Sequence, residues 1–302
     1  MDSLISPKEL APHLAEPEWV VVDCRHALTD PAYGRTAYAA GHLPAAVFAD
    51  LDHDLCGPIG PGTGRHPLPA WDVFCRWLGQ QGVKRASHVV AYDDSHGAYA
   101  ARLWWMLRAL GHEHVAVLDG GYARWAREGR PTEIAVFKPK PVSYRAKPDA
   151  ALTISLRDLK RRLDDPELLL VDARAGERYR GEVEPIDPRP GHIPGAVNLP
   201  FMGNVDENGR FLPAAQLRKR MRAAYGRTPP EHTVHYCGSG VTACHNLLAQ
   251  VAAGMPIGRL YAGSWSQWCA DPSHPAELGE APPRAAAGVR IRTGSSHGHR
   301  HR

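Results

Sequence analysis

Long apolar runs are missing from this chain of 302 residues. No stretch approaches the ~18 apolar residues of a membrane-spanning helix. The opening Met1-Asp2-Ser3-Leu4 also lacks the basic region and apolar run of an export signal, so a cytoplasmic protein with no membrane partner is expected. Cysteine is scarce: Cys24, Cys56, Cys75, Cys237, Cys244 and Cys269 form no C-x-x-C pair. A disulfide scaffold is thereby excluded, and in a reducing compartment at least one thiol is left free to act as a thiolate. Runs of one charge sign are lacking as well. The net charge of +4 comes from Arg scattered among acids, which leaves no footprint for nucleic acid or an anionic membrane. What remains, 43% hydrophobic and 23% charged residues, is the composition of an ordinary globular protein.

A length near twice the ~150 residues of a typical domain raises the question of whether the halves are related. They are. Val20-Val21-Val22-Asp23-Cys24-Arg25 recurs as Leu169-Leu170-Val171-Asp172-Ala173-Arg174, an offset of 149. Gly41-His42-Leu43-Pro44-Ala45-Ala46-Val47 returns as Gly191-His192-Ile193-Pro194-Gly195-Ala196-Val197 at 150, and Asp119-Gly120-Gly121-Tyr122 as Ala262-Gly263-Ser264-Trp265 at 143. A period this long denotes a tandem pair of complete domains. The seam falls where Pro and Lys replace apolar periodicity, from Lys138-Pro139 to Lys147-Pro148-Asp149. The expected division is an N-terminal domain over 1–138, a linker over 139–149, a C-terminal domain over 150–284, and a tail or tag over 285–302.

In each repeat, short aliphatic runs alternate with helix-length amphipathic segments. The expected strands are Trp19-Val20-Val21-Val22, Val89-Val90-Ala91-Tyr92 and Val115-Ala116-Val117-Leu118, then Leu168-Leu169-Leu170-Val171, Thr233-Val234-His235-Tyr236 and Gly258-Arg259-Leu260-Tyr261. Ser6-Pro7-Lys8-Glu9 and Ser155-Leu156-Arg157-Asp158 signal helix starts. Such alternation predicts two α/β domains, each a central, mainly parallel sheet with helices on both faces.

Val234-His235-Tyr236-Cys237-Gly238-Ser239-Gly240-Val241-Thr242 reads as a strand, a glycine-rich turn and a helix start, with Cys237 at the strand's carboxyl end. Ligands of open α/β sheets sit there, and a loop with inward backbone N–H groups stabilises a thiolate. Gly238 and Gly240 permit the curvature, while Ser239 and Thr242 add hydroxyls. Free cysteine is otherwise a small buried hydrophobe. Alignment through Tyr92 and Tyr236 puts Asp93 at the Cys237 position of the first repeat. A carboxylate suits the same ring of amides but is a weak nucleophile, so the first half is expected to be catalytically silent.

These residues resemble the rhodanese superfamily, in particular its two-domain 3-mercaptopyruvate sulfurtransferases, whose loop has the pattern C-G-S-G-V-T-A. The resemblance spans about residues 5–272, including G-H-I-P-G-A-V at 191–197 and G-S-W at 263–265. It implies two rhodanese-like domains and a persulfide mechanism without cofactor or metal. Cys237 takes sulfane sulfur from a small-molecule donor and passes it to cyanide or to a thiol such as thioredoxin or a small thiol. It further implies that Arg178 and Arg189 bind the donor's carboxylate and keto oxygens, with Arg180 the alternative to Arg178. Ser239, with His66 and Asp52 from the first domain, would form a relay that protonates the leaving enolate. The loop Gly238, Ser239, Gly240, Val241, Thr242 carries no charge, which favours 3-mercaptopyruvate over the dianion thiosulfate. The alternatives are a thiosulfate:cyanide sulfurtransferase and a persulfide carrier to a protein partner. A phosphatase on this fold would need Arg where Ala243 stands. His235, Cys237, Cys244 and His245 lack standard zinc spacing. His42 and His192 occupy equivalent repeat positions and are expected to hydrogen-bond loops, and Trp104-Trp105-Met106-Leu107 to be core.

Overall fold

The computed structural model describes residues 1–280; the expected tail over 285–302 lies outside the described residues. In the first half, β1 (Leu4–Ile5), β2 (Trp19–Asp23), β3 (Val47–Phe48), β4 (His88–Tyr92) and β5 (Val115–Leu118) form a wholly parallel sheet in the order β1-β5-β4-β2-β3. Helices α1 (Pro7–Leu10), α2 (Tyr33–Ala40), α3 (Trp71–Gln80), α4 (Ala100–Ala109) and α5 (Gly121–Arg127) connect it. The second half repeats the plan with β6 (Leu169–Asp172), β7 (Val197–Asn198), β8 (Thr233–Tyr236) and β9 (Arg259–Leu260) in the order β7-β6-β8-β9. Its helices are α6 (Leu156–Arg161), α7 (Gly176–Tyr179), α8 (Ala214–Tyr225), α9 (Thr242–Ala252) and α10 (Ser264–Trp268). A single parallel bridge from Thr153 to Leu260 stands where β1 meets β5 in the first half. All six expected strands form, with the last shortened to Arg259–Leu260.

Both helix-start signals operate. Ser6 and Glu9 close a reciprocal capping box, and the Ser155 side chain accepts from the Asp158 N–H. The repeated Asp-x-Arg has a structural purpose. Arg25 clamps Asp23 and the Gly41 carbonyl, as Arg174 clamps Asp172 and the Gly191 carbonyl. His42 and His192 stack on Tyr38 and Tyr179 and bond the carbonyls of those residues.

The halves share a core. Helix α4 packs on α9, and Trp104, Trp105 and Met106 join Val241, Ala243, Leu247 and Leu248 in one buried apolar cluster. That packing holds the carboxyl end of β8 against first-half loops. Among the described residues no helix is long and apolar enough to cross a membrane.

Candidate active site

Strand β8 delivers Cys237, only 2% exposed, to the floor of a cavity of about 440 Å³ lined by both halves. The Gly240 N–H donates to Cys237 Sγ at 3.1 Å. Gly240 is obligatory in this bend: its φ is +81°, and a Cβ would lie 2.4 Å from the Ala262 carbonyl oxygen. Gly238 has no such φ. Its missing side chain leaves room instead for guanidinium groups, since a Cβ would lie 3.1 Å from Arg65 Nη2 and 3.6 Å from Arg178 Nη1. The loop is anchored from behind, where the Cys237 N–H donates to Ser264 Oγ and the Cys237 and Gly238 carbonyls accept from Trp265 and Ser266.

The other cysteines differ in kind. Cys24, Cys75 and Cys244 donate their S–H to backbone carbonyls, whereas the Cys237 sulfur receives an amide. Burial pushes the Cys56 and Cys269 thiols up to about 11 and Cys244 up to about 12, so they stay protonated near neutrality. The first-half counterpart, Asp93, is fully buried and accepts the N–H groups of Ser95, Gly97, Tyr99 and Ala100. Corresponding loops thus turn four amides on a carboxylate in one copy and the Gly240 amide on a sulfur in the other.

Ser239, His66 and Asp52 come together. His66 Nδ1 lies 2.7 Å from Ser239 Oγ, and His66 Nε2 lies 3.6 Å from Asp52 Oδ1. Asp52 sets the tautomer: the proton belongs on Nε2, so Nδ1 accepts from the Ser239 hydroxyl. Burial, reinforced by Arg65 and Arg102, lowers His66 to about 3, and half-exposed Asp52 does not offset this. His66 is therefore neutral at rest.

The arginines sort differently from expectation. Arg178 lines the cavity, and its Nη2 donates to Glu184 at 2.6 Å and Asp187 at 3.1 Å. Arg180 points away, to Glu182 and Glu280. Arg189, expected to bind the donor, does not line the cavity: its guanidinium donates to the Pro272 and His274 carbonyls beside the Trp265 ring. Two further arginines line the cavity: Arg174, committed to Asp172, Glu184 and the Gly191 carbonyl, and Arg65 of the first half, ion-paired with Asp187. Burial disfavours the Glu184 carboxylate, yet bonds from Arg178 and the Asp187 and Ile186 N–H groups hold it below its ordinary range. Arg65 adjoins His66 in sequence, which was the available signal for it. Arg102 gave none. Fully buried on α4, it donates to the Gly240 carbonyl at 3.0 Å and to the His66 and Leu55 carbonyls at 3.2 and 3.3 Å, joining the sulfur loop to the histidine loop. Val241 and Thr242 line the cavity, and exposed Leu28, Ile186 and Met202 rim it.

Comparison with known proteins gives a consistent result. The rhodanese-like domain matches residues 6–128 and again 155–271. A Pseudomonas aeruginosa protein named "Probable 3-mercaptopyruvate sulfurtransferase" is 48% identical over 279 residues, covering 92% of this chain and 98% of its own. The human 3-mercaptopyruvate sulfurtransferase is 39% identical, over 79% of this chain and 81% of its own. Among solved structures, a 3-mercaptopyruvate sulfotransferase of Escherichia coli superposes with a TM-score of 0.77 at 30% identity, covering 88% of this chain and all of that one.

Proposed function

The chain belongs to the rhodanese-like family as a sulfurtransferase with two copies of the domain, and from that premise we propose that it moves sulfur from 3-mercaptopyruvate through a Cys237 persulfide to a thiol or cyanide. The observation that carries the reading is the Cys237 sulfur, bonded by the Gly240 amide on the floor of a cavity that also holds Ser239, His66, Arg65 and Arg178. Arg65 and Arg178 spend some N–H groups on Asp187 and Glu184 and turn others toward Gly238. Those free donors suit one carboxylate with an adjacent keto oxygen. The domains over 1–138 and 150–284 divide the work: the second supplies the nucleophile, the first supplies His66, Asp52 and Arg65.

In the donor half-reaction the Cys237 thiolate attacks the donor's sulfur. An S–S bond forms, the C–S bond breaks, and its electron pair leaves as the enolate of pyruvate. Ser239 takes the donor's S–H proton as it hands its own to His66, and the proton returns to the enolate carbon. A histidine lowered to about 3 gives up a borrowed proton readily. Asp52 steadies the transient imidazolium. The products are pyruvate and a Cys237 persulfide, with no proton gained or lost.

Steady-state turnover of wild type and Cys237→Ser with 3-mercaptopyruvate and thiosulfate tests this, together with mass spectrometry for a gain of ~32 Da, one sulfur atom, on Cys237. Activity surviving in Cys237→Ser sinks the proposal. A kcat/KM for thiosulfate about ten-fold above that for 3-mercaptopyruvate transfers it to the thiosulfate reading.

A further inference from the structure

The cavity is not uniformly cationic. Besides Arg65 and Arg178, the cavity is lined by the first-half loop that follows β4, through Asp94, Ser95, His96, Ala98 and Tyr99. Asp94 accepts a hydrogen bond from the Tyr33 hydroxyl and a long one from Ser95 Oγ at 3.5 Å, and among the described residues no basic side chain lies within ion-pair distance of it. Arg25, which acts on it through space, spends its guanidinium on Asp23 and the Gly41 carbonyl. The carboxylates Asp187 and Glu184 are already taken by Arg65 and Arg178. Asp94 therefore lines the cavity with a carboxylate that has hydroxyl donors but no cation at ion-pair distance among the described residues. A partly desolvated carboxylate of this kind is best compensated by an ammonium group.

The donor of the proposed reaction has no ammonium. The acceptor does, if it is an aminothiol. We propose that Asp94 is the cation subsite of this cavity and selects acceptors that carry an ammonium beside the thiol, a specificity-determining role that rests on the persulfide reading above. With the ammonium on Asp94, an acceptor carboxylate meets Arg65 and Arg178, vacated by pyruvate, and the thiol faces the Cys237 persulfide. The acceptor's sulfur bonds to the outer sulfur, its S–H proton passes to that sulfur, and the S–S bond to Cys237 breaks. Cys237 leaves as the thiolate and the product is the persulfide of the aminothiol.

The test begins with the Cys237 persulfide formed in advance and confirmed by mass. If no persulfide forms from any donor, the underlying reading fails; every later result speaks to Asp94 alone. Single-turnover discharge is timed with cysteamine and with N-acetylcysteamine, which lacks the ammonium. Because the ammonium also makes cysteamine the stronger acid, each rate is divided by that of the same thiol with a small-molecule persulfide, and wild type should still prefer cysteamine by about ten-fold or more. Asp94→Asn should remove most of that preference, and Asp94→Glu should retain part of it. Equal normalised rates for the two thiols in wild type, or a ratio unchanged in Asp94→Asn, overturn the proposal. If Asp94→Asn does not fold, equal normalised rates in wild type still overturn the proposal, and Asp94→Glu supplies the variant that ties the preference to this residue.

Discussion

Replacing Gly240 by alanine strikes the sulfur cradle at its tightest point. A Cβ there would sit 2.4 Å from the Ala262 carbonyl, against the 3.4 Å or more of ordinary contact, so the loop must yield by roughly the missing 1 Å. Keeping φ at +81° instead costs a non-glycine residue about 1–2 kcal/mol. Yielding moves the amide that donates to Cys237 Sγ at 3.1 Å, and keeping it in place retains both the strain and the clash. A hydrogen bond to a charged partner contributes about 1.5–3 kcal/mol, and each 1.36 kcal/mol is ten-fold, so the thiolate loses roughly ten- to hundred-fold. The readout is the iodoacetamide alkylation rate of Cys237 at about pH 7, assigned by mass. The buried, protonated thiols of Cys56, Cys244 and Cys269 react slowly and do not obscure it. Turnover with 3-mercaptopyruvate should fall by about 10²–10³, as when one preorganised donor is lost from a charge-stabilising site. A folded Gly240→Ala protein with unchanged alkylation and turnover refutes the cradle.

The remaining tests address the groups around it. His66→Ala should slow pyruvate release by about 10²–10⁴, the range of a lost proton relay, in a rapid-quench assay of the donor half-reaction; unchanged release removes His66 from the reaction. Arg178→Ala should raise KM for 3-mercaptopyruvate by about ten-fold or more, while Arg189→Ala, whose guanidinium serves the Pro272 and His274 carbonyls, should leave it within about two-fold; steady-state kinetics on both variants would expose the opposite assignment. Acid should weaken the fold through its buried histidines. Burial lowers His235 to about 3, below its unfolded value, so the unfolded chain binds the extra proton and stability falls as pH drops below about 6.5. Its share at about pH 5 is about 2 kcal/mol, and urea titrations should find His235→Gln losing that much less than wild type between pH 7 and 5.

Periodicity and punctuation made the fold legible. Six apolar runs gave six strands, and the Asp-x-Arg and Gly-His pairs recurred because each copy needs the same internal clamp. The place of Cys237 in the cavity was legible from its position after β8, and the meeting of His66 with Ser239 and Asp52 from family resemblance. What the sequence hid was direction. Arg189 and Arg178 look alike in a line of letters, but Trp265 and two free carbonyls draw one guanidinium to the surface of α10, while Glu184 and Asp187 hold the other in the cavity. Arg65 and Arg102 work on the far half of the molecule. No local pattern encodes a bond from α4 to the Gly240 carbonyl.

That bond bears on ancestry. One side chain of the first copy grips both the loop that carries Cys237 and the loop that carries His66. After such a link is made, neither copy can be lost alone, because deleting the first would take His66 away from Ser239 and uncover the apolar flank of α9. Duplication here is irreversible by construction: the two copies stand as halves of one cleft.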